Sequence, residues 1–356
     1  MQSELHRRVL IGMDGLRPSA ELLDLLVELE IGGVMLFKRN VESVEQVAAL
    51  TRELQSAAGG RLLIAIDHEG GRVQRLGPPF TQLPRGADVG RAGSVDLAFA
   101  LGQLAARELS AVGVNLNFAP VVDVWTHPEN TVIGDRAFGS EPEAVAALGA
   151  AFIRGHQAGG VAACAKHFPG HGATETDSHF ALPRDLRSLD AFRAVDLIPF
   201  RRAASANVAS IMTAHVECPE VDPLPATLSA RWIREILRGE LGFRGAVLSD
   251  DVEMKAIAEK QDPAEAAREA FRAGCDVVLV ASGSASQHRA WLERLAAEPP
   301  EIPEAELSAG AARVEALKTE WVYGRPLADP RKAGTAVPAP DGGRLVAEVE
   351  RAAKLA

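Results

Sequence analysis

The sequence predicts an α/β protein built as a single (β/α)8 barrel of the TIM type, with a short C-terminal helical extension. Apolar runs recur eight times, at Val9–Met13, Gly33–Phe37, Leu62–Asp67, Val114–Pro120, Val161–Lys166, Ser210–Ala214, Ala246–Asp250 and Asp276–Ala281. They are continuous rather than alternating, as parallel strands covered on both faces require. Helical patterns fill the intervals, and strand-then-helix repeated over roughly 280 residues has the count and length of such a barrel. A doubly wound sheet usually has fewer repeats and opens on a glycine-rich turn. Here the first turn reads Met13-Asp14-Gly15-Leu16-Arg17.

The helical patterns fall at Ser19–Glu30, Ser43–Ala57, Val95–Val112, Pro142–Ala158, Ser188–Ala206, Ser229–Leu241 and Pro263–Ala273. Ser19, Ser43, Ser188, Ser229 and Asp262 stand where an N-cap belongs, and Pro263 suits a first helical position. A further helix runs from Glu304 to about Trp321. The barrel is therefore expected over residues 1–322. Residues 323–356 are expected to be a linker, rich in Pro, Gly and Ala over Arg325–Asp341, and a short charged helix packing on or beside the barrel.

The totals exclude several classes of function. A net charge of -10, with no Lys/Arg-rich run, argues against a nucleic-acid partner. No apolar run is long enough to span a membrane, and no apolar segment follows the N-terminal basic residues as a signal peptide requires. Cys164, Cys218 and Cys275 are odd in number and far apart, so buried reduced thiols and a cytoplasmic location are expected. A monomer or weak homodimer is expected.

In a barrel of this type, functional residues sit at the C-terminal ends of the strands. The polar clusters fall there. The third strand ends in Asp67-His68-Glu69-Gly70-Gly71-Arg72-Val73-Gln74-Arg75. The fourth ends in Asn117-Phe118-Ala119-Pro120 and Asp123, and its loop carries Gly134-Asp135-Arg136. The fifth runs into Lys166-His167-Phe168-Pro169-Gly170-His171-Gly172, then Asp177-Ser178-His179. The sixth ends in Thr213-Ala214-His215, and the seventh in Ser249-Asp250-Asp251. Taken singly, each has a plainer role. Arg136 could pair with Asp135 or Glu141, Asp251 could cap the next helix, and His215 could be a hydrogen-bonded strand end. Five clusters on one face are hard to explain as solvation.

Two chemistries fit such a face. His167, His171, His179 and Asp177 could ligate zinc, but their spacing is no helix-face ligand pair and Lys166 would repel a cation. No metal and no cofactor is therefore expected. Glycoside hydrolysis with retention fits better. Asp250 is the candidate nucleophile. His179, two residues from Asp177, is the candidate acid/base, since a His with an acidic partner works near neutral pH. Asp67, Arg75, Arg136, Lys166 and His167 offer charged hydrogen bonds to sugar hydroxyls. Gly170 and Gly172 would let the loop close over substrate.

These motifs, in this order over about residues 9 to 320, resemble the family 3 glycoside hydrolases, specifically the bacterial β-N-acetylhexosaminidases of the peptidoglycan-recycling type. The resemblance implies removal of terminal N-acetylglucosamine from β-1,4-linked muropeptide or chitobiose-like sugars, with retention. It implies Asp250 as nucleophile, His179 assisted by Asp177 as acid/base, and Asp67, Arg75, Arg136, Lys166 and His167 as sugar ligands. Other members take a Glu from a second domain as acid/base; the Asp-Ser-His loop favours the hexosaminidase branch. The rival readings are a sugar phosphorylase, another family 3 β-glycosidase, a metal-dependent hydrolase and a catalytically silent sugar-binding barrel.

Overall fold

The computed structural model describes residues 2–174, 182–258 and 262–355. Eight parallel strands close into a barrel: β1 (Val9–Gly12), β2 (Gly33–Leu36), β3 (Leu63–Ile66), β4 (Leu116–Asn117), β5 (Ala162–Phe168), β6 (Ser210–Thr213), β7 (Ala246–Asp251) and β8 (Val277–Val280). Each pairs with its sequence neighbour, and β8 closes on β1 with Ile11 opposite Val280.

Successive strand residues face opposite sides. Leu10, Met35, Leu63, Ala65, Leu116, Cys164, Met212, Leu248 and Leu279 pack together inside the barrel. Val9, Ile11, Val34, Ile64, Ile66, Val247 and Val278 pack outward against the helices. Val314, Leu317, Trp321 and Val322, from the helix Glu304–Trp321 and the residue after it, join the inner cluster. That helix therefore closes the N-terminal end of the barrel.

The helices begin where short polar side chains offer an acceptor. Ser19, Ser43, Ser94 and Ser188 each accept a backbone N–H at the start of a helix. Several elements differ from expectation for local reasons. The helix expected over 188–206 is two, Leu189–Ala194 and Leu197–Ser205. Pro199 has no N–H to continue the ladder to Val195, so the chain breaks there. β4 is only two residues long and soon meets Pro120, which likewise lacks a donor. Arg231–Glu240 winds wider than an α-helix, with Leu241 N donating to Ile236 O. The helix Ala285–Ala297 follows β8 and completes the eighth unit.

The stretch expected as a linker contains the helix Pro330–Ala336, which lies on the helix Val44–Ala57. The last helix, Gly342–Leu355, packs on the helix Gly86–Ala92 and buries Leu345 and Val349. The buried Glu108 ties the extension down. It accepts from Ala339 N at 2.8 Å, Thr81 N at 2.8 Å and Thr81 Oγ1 at 2.6 Å. Among the described residues, no helix is long and apolar enough to cross a membrane.

Candidate active site

A cavity of about 450 Å³ opens at the C-terminal end of the barrel. Met35, Phe118, Met212 and Leu279 form apolar parts of its lining. Asp67, Glu69, Arg75, Arg136, Lys166, His167, His171 and Asp250 bring the charge and the rings. The strand ends thus converge as the barrel geometry dictates.

Two irregularities aim the side chains. The pairing of β7 with β8 shifts register between Leu248 and Asp251, and Asp250 lies within that bulge. A bulge re-aims a side chain, and Asp250 lines the cavity while Asp251 bonds elsewhere. The Asp251 carboxylate accepts from Glu253 N and Ala281 N, at 3.0 and 3.1 Å. The pairing of β5 with β6 shifts between Ala165 and Phe168. Regular alternation would send Lys166 and His167 to opposite faces; with the shift, both line the cavity.

Asp67 and Glu69 organise the cations. Lys166 Nζ lies 2.7 Å from Asp67 Oδ1 and 2.7 Å from Glu69 Oε1. Arg75 Nη2 donates to Asp67 Oδ2 at 3.1 Å. Arg136 grips Glu69 through Nε and Nη2, both at 2.8 Å. Burial alone would push both carboxyls up. Lys166 and Arg75 outweigh it at Asp67, and Arg136 and Lys166 at Glu69, so both are held below the usual carboxylate range. Lys166 is raised in turn: burial works against its charge, and Asp67 and Glu69 overcome it. The three are ionised together.

Asp123, fully buried after β4, holds the next turn of chain. It accepts His167 Nδ1 at 2.7 Å and His171 N at 2.8 Å. Burial tends to raise its carboxyl, but the His167 ring keeps it low. Arg136 Nη2 approaches His167 Nε2 at 3.3 Å. Burial and the neighbouring His167 push His171 down to about 4, so its ring is neutral at ordinary pH.

The structure corrects one local expectation and bears out another, the strand-end role of His215. Arg136 pairs with Glu69, not with Asp135 or Glu141; Asp135 is taken by Arg72 at 3.0 Å. Gly170 and Gly172 are sites of close approach. A Cβ on Gly170 would lie 2.7 Å from Asp196 Oδ1, and one on Gly172 would lie 1.9 Å from Val124 O. His215 is a strand-end residue bonded to Thr227 Oγ1 at 2.9 Å and Asp251 O at 2.8 Å.

Asp67, Arg75, Arg136, Lys166, His167 and Asp250 thus share one cavity. Asp177 and His179 lie outside the described residues. Glu69 and Asp123 were not singled out by the sequence reasoning. Glu69 had a signal: it stands two residues from Asp67 in extended chain, on the same face. Asp123 had only its place after a strand end.

A parallel barrel whose C-terminal mouth joins a carboxylate to a cradle of charged hydrogen-bonding groups is an arrangement suited to glycoside hydrolysis. Residues 4–317 match the glycosyl hydrolase family 3 N terminal domain, and the chain belongs to that family. The beta-hexosaminidase of Alkalilimnicola ehrlichii is 48% identical over 278 residues, covering 76% of this chain and 80% of the relative. That of Pseudomonas aeruginosa is 45% identical over 295 residues, covering 82% and 88%. Among solved structures, a family 3 beta-N-acetylglucosaminidase from Paenibacillus superposes with a TM-score of 0.88 at 38% identity, covering 99% of this chain and 68% of that one. NagZ from Neisseria gonorrhoeae, solved with N-trifluoroacetyl-D-glucosamine, gives 0.82 at 35% identity, covering 97% of both. The enzyme is of the β-N-acetylhexosaminidase type.

Proposed function

We propose that this enzyme removes terminal N-acetylglucosamine from β-1,4-linked muropeptide fragments of the cell wall, with retention of configuration. The observation that carries the reading is the placement of Asp250, on the β7 bulge, in the same cavity as Asp67, Arg75, Arg136, Lys166 and His167. Those five residues bind the sugar.

The Asp250 carboxylate attacks the anomeric carbon as the glycosidic oxygen departs with a proton from His179. This leaves a glycosyl ester on Asp250. His179 then takes a proton from water, which displaces Asp250 and restores the original configuration. Asp177 orients the His179 ring. No metal or cofactor enters this scheme. The barrel at 1–322 carries the chemistry, and 323–356 serves as a strap. The enzyme works as a monomer or weak homodimer. Three buried, unpaired cysteines support a reducing, cytoplasmic setting.

A 2-fluoro sugar with a good leaving group, followed by peptide mapping, tests the scheme. The label belongs on the peptide containing Asp250; a label elsewhere, or none, removes the assignment. The gathering of Arg72, Arg75, Arg136 and Lys166 around one cavity also suits phosphate as acceptor. Product analysis with and without phosphate separates phosphorolysis from hydrolysis.

A further inference from the structure

The opposite, N-terminal mouth of the barrel holds a second charged cavity, of about 330 Å³. Arg8 immediately precedes β1 and Asp276 immediately precedes β8, while the helix Glu304–Trp321 brings Arg313 over them. The buried Asp276 faces several cations at once. Arg313 donates to Oδ1 from Nε at 3.0 Å and Nη2 at 2.8 Å. Arg238 Nη2 and Val247 N share Oδ2.

Arg8 packs into the same corner. Its Nε and Nη2 donate to Asp276 O at 2.8 Å and Cys275 O at 3.0 Å. Its Nη1 is buried and finds no acceptor in the protein, although Arg8 as a whole is only 3% exposed. An unsatisfied buried donor costs about 1–3 kcal/mol, more when charged. The packing is close: a Cβ on Gly310 would lie 2.7 Å from Arg8 Nη2. Burial and the neighbouring Arg313 lower Arg8 from its ordinary value, against the pull of Asp276.

Arg234, also on the wall, is already matched by Glu306 and two backbone carbonyls. That leaves three guanidiniums, Arg8, Arg238 and Arg313, beside the single carboxylate Asp276, which Arg238 and Arg313 bond and Arg8 does not. The local excess is two positive charges, in a chain of net charge -10. Guanidinium forks match phosphate oxygens, and a dianion would cancel the excess. The cavity is of the size of small-ligand sites, and Phe271, Ile302 and Ala309 give it an apolar side.

We propose that this cavity binds a small phosphate monoester, its phosphate taken by Arg8, Arg238 and Arg313 and its organic part lying against Phe271 and Ile302. The site is independent of the catalytic reading. The inner core of the barrel separates it from the sugar cavity.

Isothermal titration of the full chain with glucose 6-phosphate, inorganic phosphate and glucose, at constant ionic strength, tests it. Saturable binding is expected for the monoester, weaker binding for phosphate and none for glucose. Ala309→Glu, at an exposed helical position on the cavity wall, places a carboxylate where the phosphate would sit. It should weaken monoester binding about tenfold or more with hydrolysis unchanged. Arg136→Gln, in the sugar cavity, should leave monoester binding intact. Absence of saturable binding would overturn the proposal. So would binding that survives Ala309→Glu, or binding lost in Arg136→Gln. Equal affinity for phosphate and monoester would overturn the monoester assignment.

Discussion

Arg136 and Glu69 form a two-pronged pair, Nε to Oε2 and Nη2 to Oε1, both at 2.8 Å and nearly closed to solvent. It fixes the 134–136 turn against the short strand His68–Gly70 that leaves the end of β3. Removing one partner of a buried pair leaves the other uncompensated, at about 3–5 kcal/mol. Glu69→Ala should therefore lower the denaturant midpoint substantially and raise KM, because Arg136 and Lys166 lose a shared anchor. An unchanged midpoint would show that the pair holds nothing in place.

Asp250→Ala should cut turnover of an aryl N-acetyl-β-glucosaminide by roughly ten-thousandfold or more. The circular dichroism spectrum and thermal midpoint should remain those of the folded protein, since Asp250 is only half-buried. Wild-type turnover in a folded variant would end its assignment as nucleophile.

His179→Ala should slow substrates with poor leaving groups by about a hundredfold and those with good leaving groups much less, since only the former need the proton. A plot of log kcat/KM against leaving-group pKa should steepen. Equal loss across the series would remove the acid/base role.

Asp196, packed beneath Gly170 and 2.9 Å from Arg187, is pushed up to about 6 by burial, with Arg187 opposing. An unfolded aspartate titrates near pH 4, so between about pH 4 and 6 the folded protein holds the extra proton. Its stabilising contribution is complete below pH ~4 and is lost as pH rises through ~6. Urea midpoints measured across this range should show that loss in the wild type and a flatter slope in Asp196→Asn. Parallel profiles would place the titration elsewhere.

Glu108 joins the C-terminal strap to the Thr81 segment through three short bonds. Glu108→Ala leaves those donors buried, at a cost on the order of 3 kcal/mol. Limited proteolysis should then cut within 323–356 sooner than in the wild type. Wild-type resistance would show that the strap is held by its apolar contacts alone.

Much of this architecture was legible in the chain, because parallel barrel strands are buried on both faces and write themselves as unbroken apolar runs. Asp67, Lys166 and Asp250 were legible for the same reason: each ends or closely follows such a run. Partnerships across the barrel were not. Arg136 invited pairing with Asp135 beside it, yet bonds Glu69, 67 positions away. Asp123 meets His167 across adjacent strand ends, 44 positions apart. The helix Ala285–Ala297 carried a readable start, Ser284 with Gln287 reciprocally bonded, that periodicity alone passed over. The wider winding of Arg231–Glu240 has no periodic signature distinct from an ordinary helix.

The helix that plugs the N-terminal end has a consequence for traffic. Met35, Phe118, Met212 and Leu279 belong both to the floor of the sugar cavity and to the inner core that Val314, Leu317 and Trp321 complete. Among the described residues that core fills the barrel axis, so substrate and products are expected to use the C-terminal mouth. On the proposed route through an ester on Asp250, the leaving half of a substrate departs by that mouth before the bound sugar does.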